Sequence, residues 1–460
     1  MVLLPSIVRL STRLLRCSPS TSVRLLSTAA PFDARVPHYD VVVVGGGIIG
    51  SALACQLKSS SVFKGKNVAV IETTAPLSKK THLIFVCLPL LQPAVFKDMQ
   101  VWDAMGDGFI RFDAKKVKKD VLGYVLEHRV LVRALHDRMN QLTAASDDSA
   151  SLKLYCPAKV KHFQRPTLVS GISDIGLEDG QRMKADLVVA ADGGNSIIRT
   201  LSALGTWGWD YDQQAVVATV KTDRVNETAW QRFYPTGPVA LLPMRDAYSS
   251  VVWSCSADMA RELTALSSDE FVARLNDAYS APSMTPVPPE FPGIPVLSDL
   301  VQGVHHAANT IMSAAALTDP FVAPPKAVTT VSHRFAFPLK LKHATKYIKP
   351  GLALVGDSAH TIHPLAGQGL NLGLGDVQSL SNLLVEGIKS GENLSSEYFL
   401  QRYEDERMKA NITMQLAMDG FKRMFGPTPD ALSVARNIAM GTLNAAEPLK
   451  NEIMKYAMGL

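Results

Sequence analysis

The residues best suited to chemistry lie in one stretch, in which Gly356 and Asp357 precede a turn rich in proline and glycine. The apolar run Leu352–Val355 predicts a buried strand before the turn, and a helix is expected to begin near Gly369. A helix start directs unpaired N–H groups and a positive dipole end at a ligand. Asp357 would repel a phosphate but suits a sugar hydroxyl, and Gly367 and Gly369 would admit a flat ring. A Gly-Asp pair alone is more often an ordinary turn.

A second candidate site follows the apolar run Tyr39–Val44, where three glycines have the spacing Gly-x-Gly-x-x-Gly. A predicted helix and a second buried strand then lead to Glu72, which could accept hydrogen bonds from an adenosine ribose. An acid at this position favours FAD or NAD over NADP. In this dinucleotide fingerprint Gly45 makes the tight turn, Gly47 admits the pyrophosphate and Gly50 lets the helix pack on the strand.

A third motif comes after the predicted strand Leu187–Ala191, where Asp192 and Gly193 are followed by Ser196 and Arg199. By itself, an Asp-Gly pair could be a hairpin turn. Its position between the other two motifs favours the interpretation that all three belong to one family pattern.

In this order the three motifs resemble those of the FAD-dependent aromatic hydroxylases, which are 4-hydroxybenzoate-hydroxylase-like flavoproteins. The intervening segments 99–103, 230–233 and 237–243 narrow the resemblance to the mitochondrial ubiquinone-biosynthesis flavin monooxygenase family. It implies that Asp357 binds the ribityl or phosphate region of FAD and that Asp192 and Gly193 lie near the dinucleotide. It also implies that a turn faces the isoalloxazine ring, formed by Pro364, Gly367, Gln368, Gly369 and Asn371.

The resemblance further implies that FAD, once reduced, activates dioxygen to hydroxylate a polyprenylated 4-hydroxybenzoate-type ring in ubiquinone biosynthesis. The cofactor would carry the reactive oxygen while the protein positions and shields it, and no general base is assigned. The implied partners are a ferredoxin with its reductase and other ubiquinone-biosynthesis proteins. The implied location is peripheral, on the matrix side of the mitochondrial inner membrane.

The predicted fold class is α/β, with a doubly wound FAD-binding domain, a smaller β-sheet domain for substrate and a helical C-terminal region. Four tryptophans of the β-sheet segment could line an aromatic pocket, although core packing is the simpler interpretation. The predicted divisions are a transit peptide at 1–30, the FAD-binding domain at 38–98, 114–204 and 333–415, the substrate domain at 99–113 and 205–332, and the C-terminal region at 416–460.

Composition limits the function classes. The first 30 residues contain four arginines and no acid, as in a mitochondrial transit peptide, and without them the net charge falls from +5 to about +1. A nucleic-acid partner therefore has no support in the charge. The five cysteines form no CxxC pair, and His360 with His363 lack a third ligand nearby, so neither a disulfide framework nor a metal site is expected.

One segment departs from the family. Thr73–Asp98 is shorter than expected and lacks the arginine and the Ser/Gly-rich turn that contact the flavin in the family. It predicts a splicing error or a true variant with impaired FAD binding. Two alternatives therefore stay open: an assembly subunit of the biosynthetic complex with an impaired flavin site, or an FAD oxidoreductase that does not activate oxygen.

Overall fold

A computed structural model describes residues 36–74, 93–144, 151–167, 171–283, 303, 310 and 320–458. The predicted transit peptide and most of the departing segment Thr73–Asp98 lie outside these residues. The strands are β1 His38–Val44, β2 Val68–Ile71, β3 Ala94–Phe96, β4 Asp98–Asp103, β5 Phe109–Asp113, β6 Gly123–Val125, β7 Leu152–Tyr155, β8 Val160–Gln164, β9 Ser173–Leu177, β10 Arg182–Ala190, β11 Thr206–Thr222, β12 Thr228–Tyr234, β13 Gly237–Pro243, β14 Tyr248–Ser256, β15 Ala327–Thr330, β16 Phe335–Ala344, β17 Ile348–Lys349, β18 Leu352–Leu354 and β19 His360–Thr361. The α-helices are α1 Ile48–Ser59, α2 His128–Ala144, α3 Ile197–Leu201, α4 Ala257–Ala265, α5 Ser268–Ser280, α6 Gln368–Ser390, α7 Glu397–Met424, α8 Asp430–Ala445 and α9 Glu447–Met458.

The first sheet brings the three sequence motifs to one edge. Its strands are ordered β17-β18-β10-β1-β2-β7, with β9 also paired to β10 and β8 to β9. The strands β18, β10, β1, β2 and β7 run parallel to one another, whereas β17 and β9 pair antiparallel with β18 and β10, respectively. The central strands are continuous apolar runs because helices and loops cover both faces. In a parallel sheet the carboxyl ends of the strands share an edge, so the turns after β1, β10 and β18 meet there.

The second sheet is mainly antiparallel and covers that edge. Its strands are ordered β19-β16-β11-β14-β13-β12-β4-β5, and β15 also pairs with β11. The hairpin β4–β5 comes from a segment far from β12 in the sequence, and β4 pairs with β12 in parallel. The chain therefore passes between the two sheets several times. The domain boundaries proposed from the sequence remain a prediction, and β16, inside the predicted FAD-binding segment, pairs with β11.

The last two helices pack on the β4–β5 hairpin. Arg436 forms a buried ion pair of 2.6 Å with Asp103, and Asn437 accepts a hydrogen bond of 2.7 Å from the Gly108 amide. The predicted helical C-terminal region at 416–460 ends in two helices, α8 and α9, which are divided at Ala446. The second helix begins just before Pro448, which lacks an N–H and is tolerated only in a first turn.

The sequence predictions of strands and helices are largely confirmed. The buried strand predicted before Glu72 is observed at Val68–Ile71, and the helix expected near Gly369 begins at Gln368. Of the four tryptophans in the β-sheet segment, Trp230 and Trp253 are buried in its core. Trp207 and Trp209 differ, since each is 38% exposed.

Candidate functional site: a cleft between the two sheets

The glycine turn after β1 leaves the N-terminus of α1 open. Gly45 has a φ of 107°, and a Cβ there would overlap the carbonyl oxygen of Ala191 on the neighbouring turn. A Cβ at Gly50 would overlap the carbonyl oxygen of Gly45, so this glycine lets the helix pack against the turn. Gly47 precedes α1 without a side-chain cap, and its Cβ position has nothing within 4 Å. The turn therefore presents unpaired N–H groups to open space, as an anion site requires.

Glu72 supports this turn from the end of β2. Its Oε2 accepts a hydrogen bond of 2.6 Å from the Gly46 amide, and its Oε1 accepts one of 2.7 Å from the Thr74 amide. His136 Nε2 contacts the carbonyl oxygen of Gly46 at 2.9 Å, so both backbone polar groups of Gly46 are held by side chains. A carboxylate has about four acceptor positions, so Glu72 keeps capacity for a ribose hydroxyl. That role stays a prediction.

The Gly356-Asp357 turn and the Asp192-Gly193 turn are joined by Ser358, a serine that sequence analysis did not identify. Ser358 Oγ accepts a hydrogen bond of 2.9 Å from the Gly193 amide and donates one of 3.0 Å to Asp192 Oδ1. Arg199 donates to the carbonyl oxygens of Ser358 and Gly194, at 2.7 Å each. The two turns therefore form one hydrogen-bonded unit.

Both carboxylate oxygens of Asp192 accept hydrogen bonds from neighbouring residues. Besides the bond from Ser358, its Oδ2 accepts hydrogen bonds of 2.7 and 3.2 Å from the amides of Ile197 and Ile198, at the start of α3. A carboxylate that receives N-terminal amides stabilises the helix start. That Asp192 and Gly193 lie near the dinucleotide stays a prediction. The hydrogen bonds of Asp192 in the structure hold the turn in its conformation.

Asp357 is different, because its carboxylate has no hydrogen-bond or ion-pair partner among the described residues. The side chain is accessible to solvent, yet the protein packed around it limits hydration and raises its pKa above the ordinary 3.8; His360 opposes this rise and Asp376 adds to it. An accessible acceptor at the strand end is what a sugar hydroxyl would use. Among the described residues, Glu72 and Asp192 have hydrogen-bond partners on both carboxylate oxygens, whereas Asp357 leaves its whole carboxylate to a ligand.

A buried charge network holds the Asp357 turn in place. Asp376 on α6 is fully buried and accepts hydrogen bonds from the Gly356 amide at 2.9 Å, His360 Nε2 at 2.6 Å and Arg407 Nε at 2.9 Å. Asn411 donates a fourth, at 3.1 Å. Burial alone would raise the pKa of Asp376, but His360 and Arg407 outweigh it and hold the pKa below 3.8. Its sequence signal is an acid that follows an uncharged run, 368–375, composed mostly of leucine and glycine.

The turn after β19 ends at Gly367, whose backbone adopts the left-handed conformation. Pro364–Ala366 is a short 3-10 turn, and Gly367, with a φ of 61°, precedes α6 without a side-chain cap. Gln368 is buried and accepts a hydrogen bond of 3.2 Å from Asn371 Nδ2. Only Gly367 needs glycine for its backbone conformation, since a Cβ at Gly369 would make an ordinary 3.5 Å contact with Ile362. The N-terminus of α6 thus adds a second open helix start beside Asp357.

A cavity of about 150 Å³ separates this turn from the second sheet. Gln231 on β12 ties the two together, because its Nε2 donates a hydrogen bond of 3.1 Å to the carbonyl oxygen of Leu365. Among the described residues that line the cavity, Gln231 and Ser254 have polar side chains, Trp230 adds an indole, and none is ionisable. The site therefore offers an apolar, shielded space next to a predicted flavin position.

His363, immediately before the turn, is a neutral group. It is fully buried, its ring lies edge-on to that of Tyr211 with centroids 4.9 Å apart, and neither nitrogen has a partner among the described residues. Burial lowers its pKa to about 4; Lys422 adds to the drop and Asp419 opposes it. In the described part of the chain, no cluster of histidine, cysteine and acidic residues could hold a metal.

Comparisons with known proteins agree with this geometry. Residues 306–416 match a family model described as an FAD binding domain. The mitochondrial ubiquinone biosynthesis monooxygenase COQ6 of Xenopus tropicalis is 34% identical over 97% of this chain and 98% of its own length. The chain belongs to the ubiquinone biosynthesis monooxygenase COQ6 family. The human member is also 34% identical, over 91% of this chain and 92% of its own.

Solved structures share the fold at low identity. The p-nitrophenol 4-monooxygenase PnpA from Pseudomonas putida aligns with a TM-score of 0.64 at 16% identity, covering 92% of this chain and 99% of its own. PqsL from Pseudomonas aeruginosa, solved with 2-aminobenzoylacetate, has a TM-score of 0.64 at 19% identity and covers 87% of this chain and 100% of its own. The predicted FAD-binding α/β fold with a second sheet and a helical C-terminal region is thereby confirmed.

Proposed function

We propose that the chain is an FAD-dependent monooxygenase that hydroxylates the aromatic ring of a polyprenylated 4-hydroxybenzoate-type intermediate in ubiquinone biosynthesis. Family membership over nearly the whole chain and the FAD binding domain support the reaction class. The observation that carries the proposal is the meeting of two open helix N-termini and Asp357, which has no partner among the described residues, at one sheet edge beside an apolar cavity.

FAD would lie along this edge. The open space over Gly47 suits the pyrophosphate, Glu72 the adenosine ribose and Asp357 the ribityl hydroxyls. The isoalloxazine ring would rest against the turn from Pro364 to Gly369, with the N–H groups at the start of α6 directed at its polar edge. When bound and reduced, FAD supplies the activation of dioxygen, and the protein supplies position and shelter.

The substrate ring would enter the cavity between the turn and the second sheet. Phe337 lines this cavity, and Phe335 lies on the same face of β16, because side chains two residues apart share a face. These side chains are 42% and 60% exposed, so they form an apolar path from the cavity to the surface that suits a polyprenyl tail. The lining excludes water but offers no base of its own, so it positions and shields the ring.

The proposal also includes the location of the chain in the cell and the proteins with which it works. The COQ6 relatives are named as mitochondrial proteins. Among the described residues, no helix has the length and apolarity needed to cross a bilayer. We place the chain peripherally on the matrix side of the inner membrane, with other ubiquinone-biosynthesis proteins and with a ferredoxin and its reductase as electron donor.

The first test is the flavin content of the purified chain. The visible spectrum before and after denaturation should show about one FAD released per chain. A colourless protein that cannot be reconstituted would instead favour the assembly subunit. A second test uses cells that lack their own enzyme: the Gly47→Ala, Asp357→Ala double variant should fail to restore quinone synthesis, and restoration would contradict the proposal.

A further inference from the structure

A larger cavity, of about 560 Å³, lies on the opposite face of the second sheet. Gln231 points to the turn at Leu365, and its neighbour Arg232 must point the other way because side chains alternate along a strand. Arg232 lines the larger cavity together with Trp102, Phe109, Tyr279 and Phe321. Its volume is that of ordinary small-molecule sites. The flavin cleft and this cavity are therefore separated by the sheet.

Arg232 is a buried cation that lacks a carboxylate partner in the described part of the chain. It is 2% exposed, and its one hydrogen bond there runs from Nη1 to the carbonyl oxygen of Ala278, at 3.1 Å. The guanidinium also lies 5.1 Å from the ring centroid of Tyr234. The carbonyl belongs to the last turn of α5, where a cation is favourable. That contact leaves Nε without a partner among the described residues, although buried charges are normally paired.

Tyr279, which lines the same cavity, carries a second buried polar atom. The hydroxyl of Tyr279 has no partner among the described residues, and the side chain is 8% exposed. An unsatisfied buried hydroxyl costs stability, so it points to a ligand oxygen in its place. The neighbouring walls are aromatic: the Tyr279 ring lies 5.9 Å from Trp102, and Phe321 packs edge-on to both Trp102 and Phe109.

From this arrangement we infer that the cavity binds an aromatic carboxylate. The ring of the ligand lies among Trp102, Phe109 and Phe321, and its carboxylate accepts hydrogen bonds from Arg232 Nε and Tyr279 Oη. A charge-assisted bond to a buried guanidinium favours an anion, and edge-to-face packing favours a flat ring. This site goes beyond the proposed function, because it does not use FAD and faces away from the flavin cleft.

The charged residues at the rim of the cavity do not reverse its preference for an anion. Asp107 lines the cavity with an exposed carboxylate, and the exposed ammonium of Lys326 lies in the same lining and offsets it. Arg232 is the buried charge of the lining, where low local dielectric gives it the larger effect.

The test is calorimetric titration of the purified full-length chain with benzoate, and with benzamide as a neutral molecule of the same shape. The expected result is a benzoate site that benzamide does not fill. Arg232→Met and Tyr279→Phe should each weaken benzoate binding by about tenfold or more. Tyr279→Phe removes only a hydroxyl that has no partner among the described residues. This variant should therefore fold even if Arg232→Met does not.

The matched control is Ala240→Phe, which narrows the smaller cavity beside Pro364 on the other face of the sheet. Benzoate binding at the Arg232 site should survive this change, with or without FAD bound. The inference is overturned if benzoate does not bind, if benzamide binds equally well, if Tyr279→Phe keeps the wild-type affinity, or if Ala240→Phe alone abolishes binding.

Discussion

Ser358 Oγ lies 3.0 Å from Asp192 Oδ1, and this hydrogen bond joins two turns that are 166 residues apart in the sequence. The same oxygen accepts the Gly193 amide, so one hydroxyl satisfies a donor and an acceptor from the facing turn. The relative position of the two turns, and with it the floor of the proposed flavin site, depends on this side chain.

Ser358→Ala should therefore lower both stability and FAD affinity. Loss of two hydrogen bonds, one of them to a carboxylate, should cost about 1–3 kcal/mol of unfolding free energy. Urea unfolding of the FAD-free chain measures the first effect and FAD titration the second. Ser202→Ala is the matched control, since this serine is also buried but its hydroxyl has no partner among the described residues. Equal effects of the two variants would contradict the linking role.

Gly47 and Gly50, both in the glycine turn after β1, should respond differently to substitution by alanine. At Gly47 the Cβ would stand in open space, so Gly47→Ala should keep the unfolding temperature of the FAD-free chain while it weakens FAD binding. At Gly50 the Cβ would overlap the Gly45 carbonyl, so Gly50→Ala should unfold at lower temperature even without FAD. Thermal unfolding with and without FAD separates the two, and an unaltered FAD affinity in Gly47→Ala would exclude the proposed pyrophosphate position.

Asp357→Asn should weaken FAD binding and leave the fold intact, because the carboxylate has no partner to lose among the described residues. Replacing a charged acceptor of sugar hydroxyls should raise the dissociation constant by about 10- to 100-fold. FAD titration followed by flavin fluorescence measures it. Glu262→Gln, at an exposed position on α4, is the control and should behave as the wild type. Unchanged affinity in Asp357→Asn would remove the residue from the site.

Asp376→Asn should be strongly destabilising, by about 3–5 kcal/mol at pH 7, because Arg407 and His360 lose a buried counter-charge. The folded pKa of Asp376 is depressed, so its contribution is complete above the unfolded value of 3.8 and is lost as the pH falls through the folded value. The stability difference between wild type and variant, measured by urea unfolding, should therefore shrink below pH 3.8. A difference that is constant from pH 7 to pH 3 would contradict the ion-pair explanation.

His363 should make the fold sensitive to mild acid. Its folded pKa of about 4 lies below the ordinary 6.5, so the unfolded chain binds more protons between these values and stability falls as the pH drops through this window. The contribution is about 3 kcal/mol near pH 4. His363→Phe should flatten the pH dependence of unfolding, whereas His162→Gln, at an exposed position, should not. The same slope in all three chains would refute the assignment.

Local patterns made much of the site predictable. The strand–glycine–helix order around Gly45 and the strand before Gly356 follow from apolar runs and turn residues close in sequence, and both are observed. Ser358, Asp376 and Arg407 were not identified, because their importance depends on contacts between elements far apart in the chain. The buried Arg232 lies in the segment 230–233, and no local pattern shows which face of the sheet its side chain occupies or that a cavity lies there.

The central claim is most directly tested by a single turnover with labelled oxygen. The FAD-loaded chain is reduced chemically without air, mixed with a polyprenylated 4-hydroxybenzoate, and then exposed to ¹⁸O₂. The account predicts a ring-hydroxylated product that carries one ¹⁸O, at about one product per reduced flavin. Reoxidation of the flavin with the substrate recovered unchanged would contradict it and favour an oxidoreductase that does not hydroxylate.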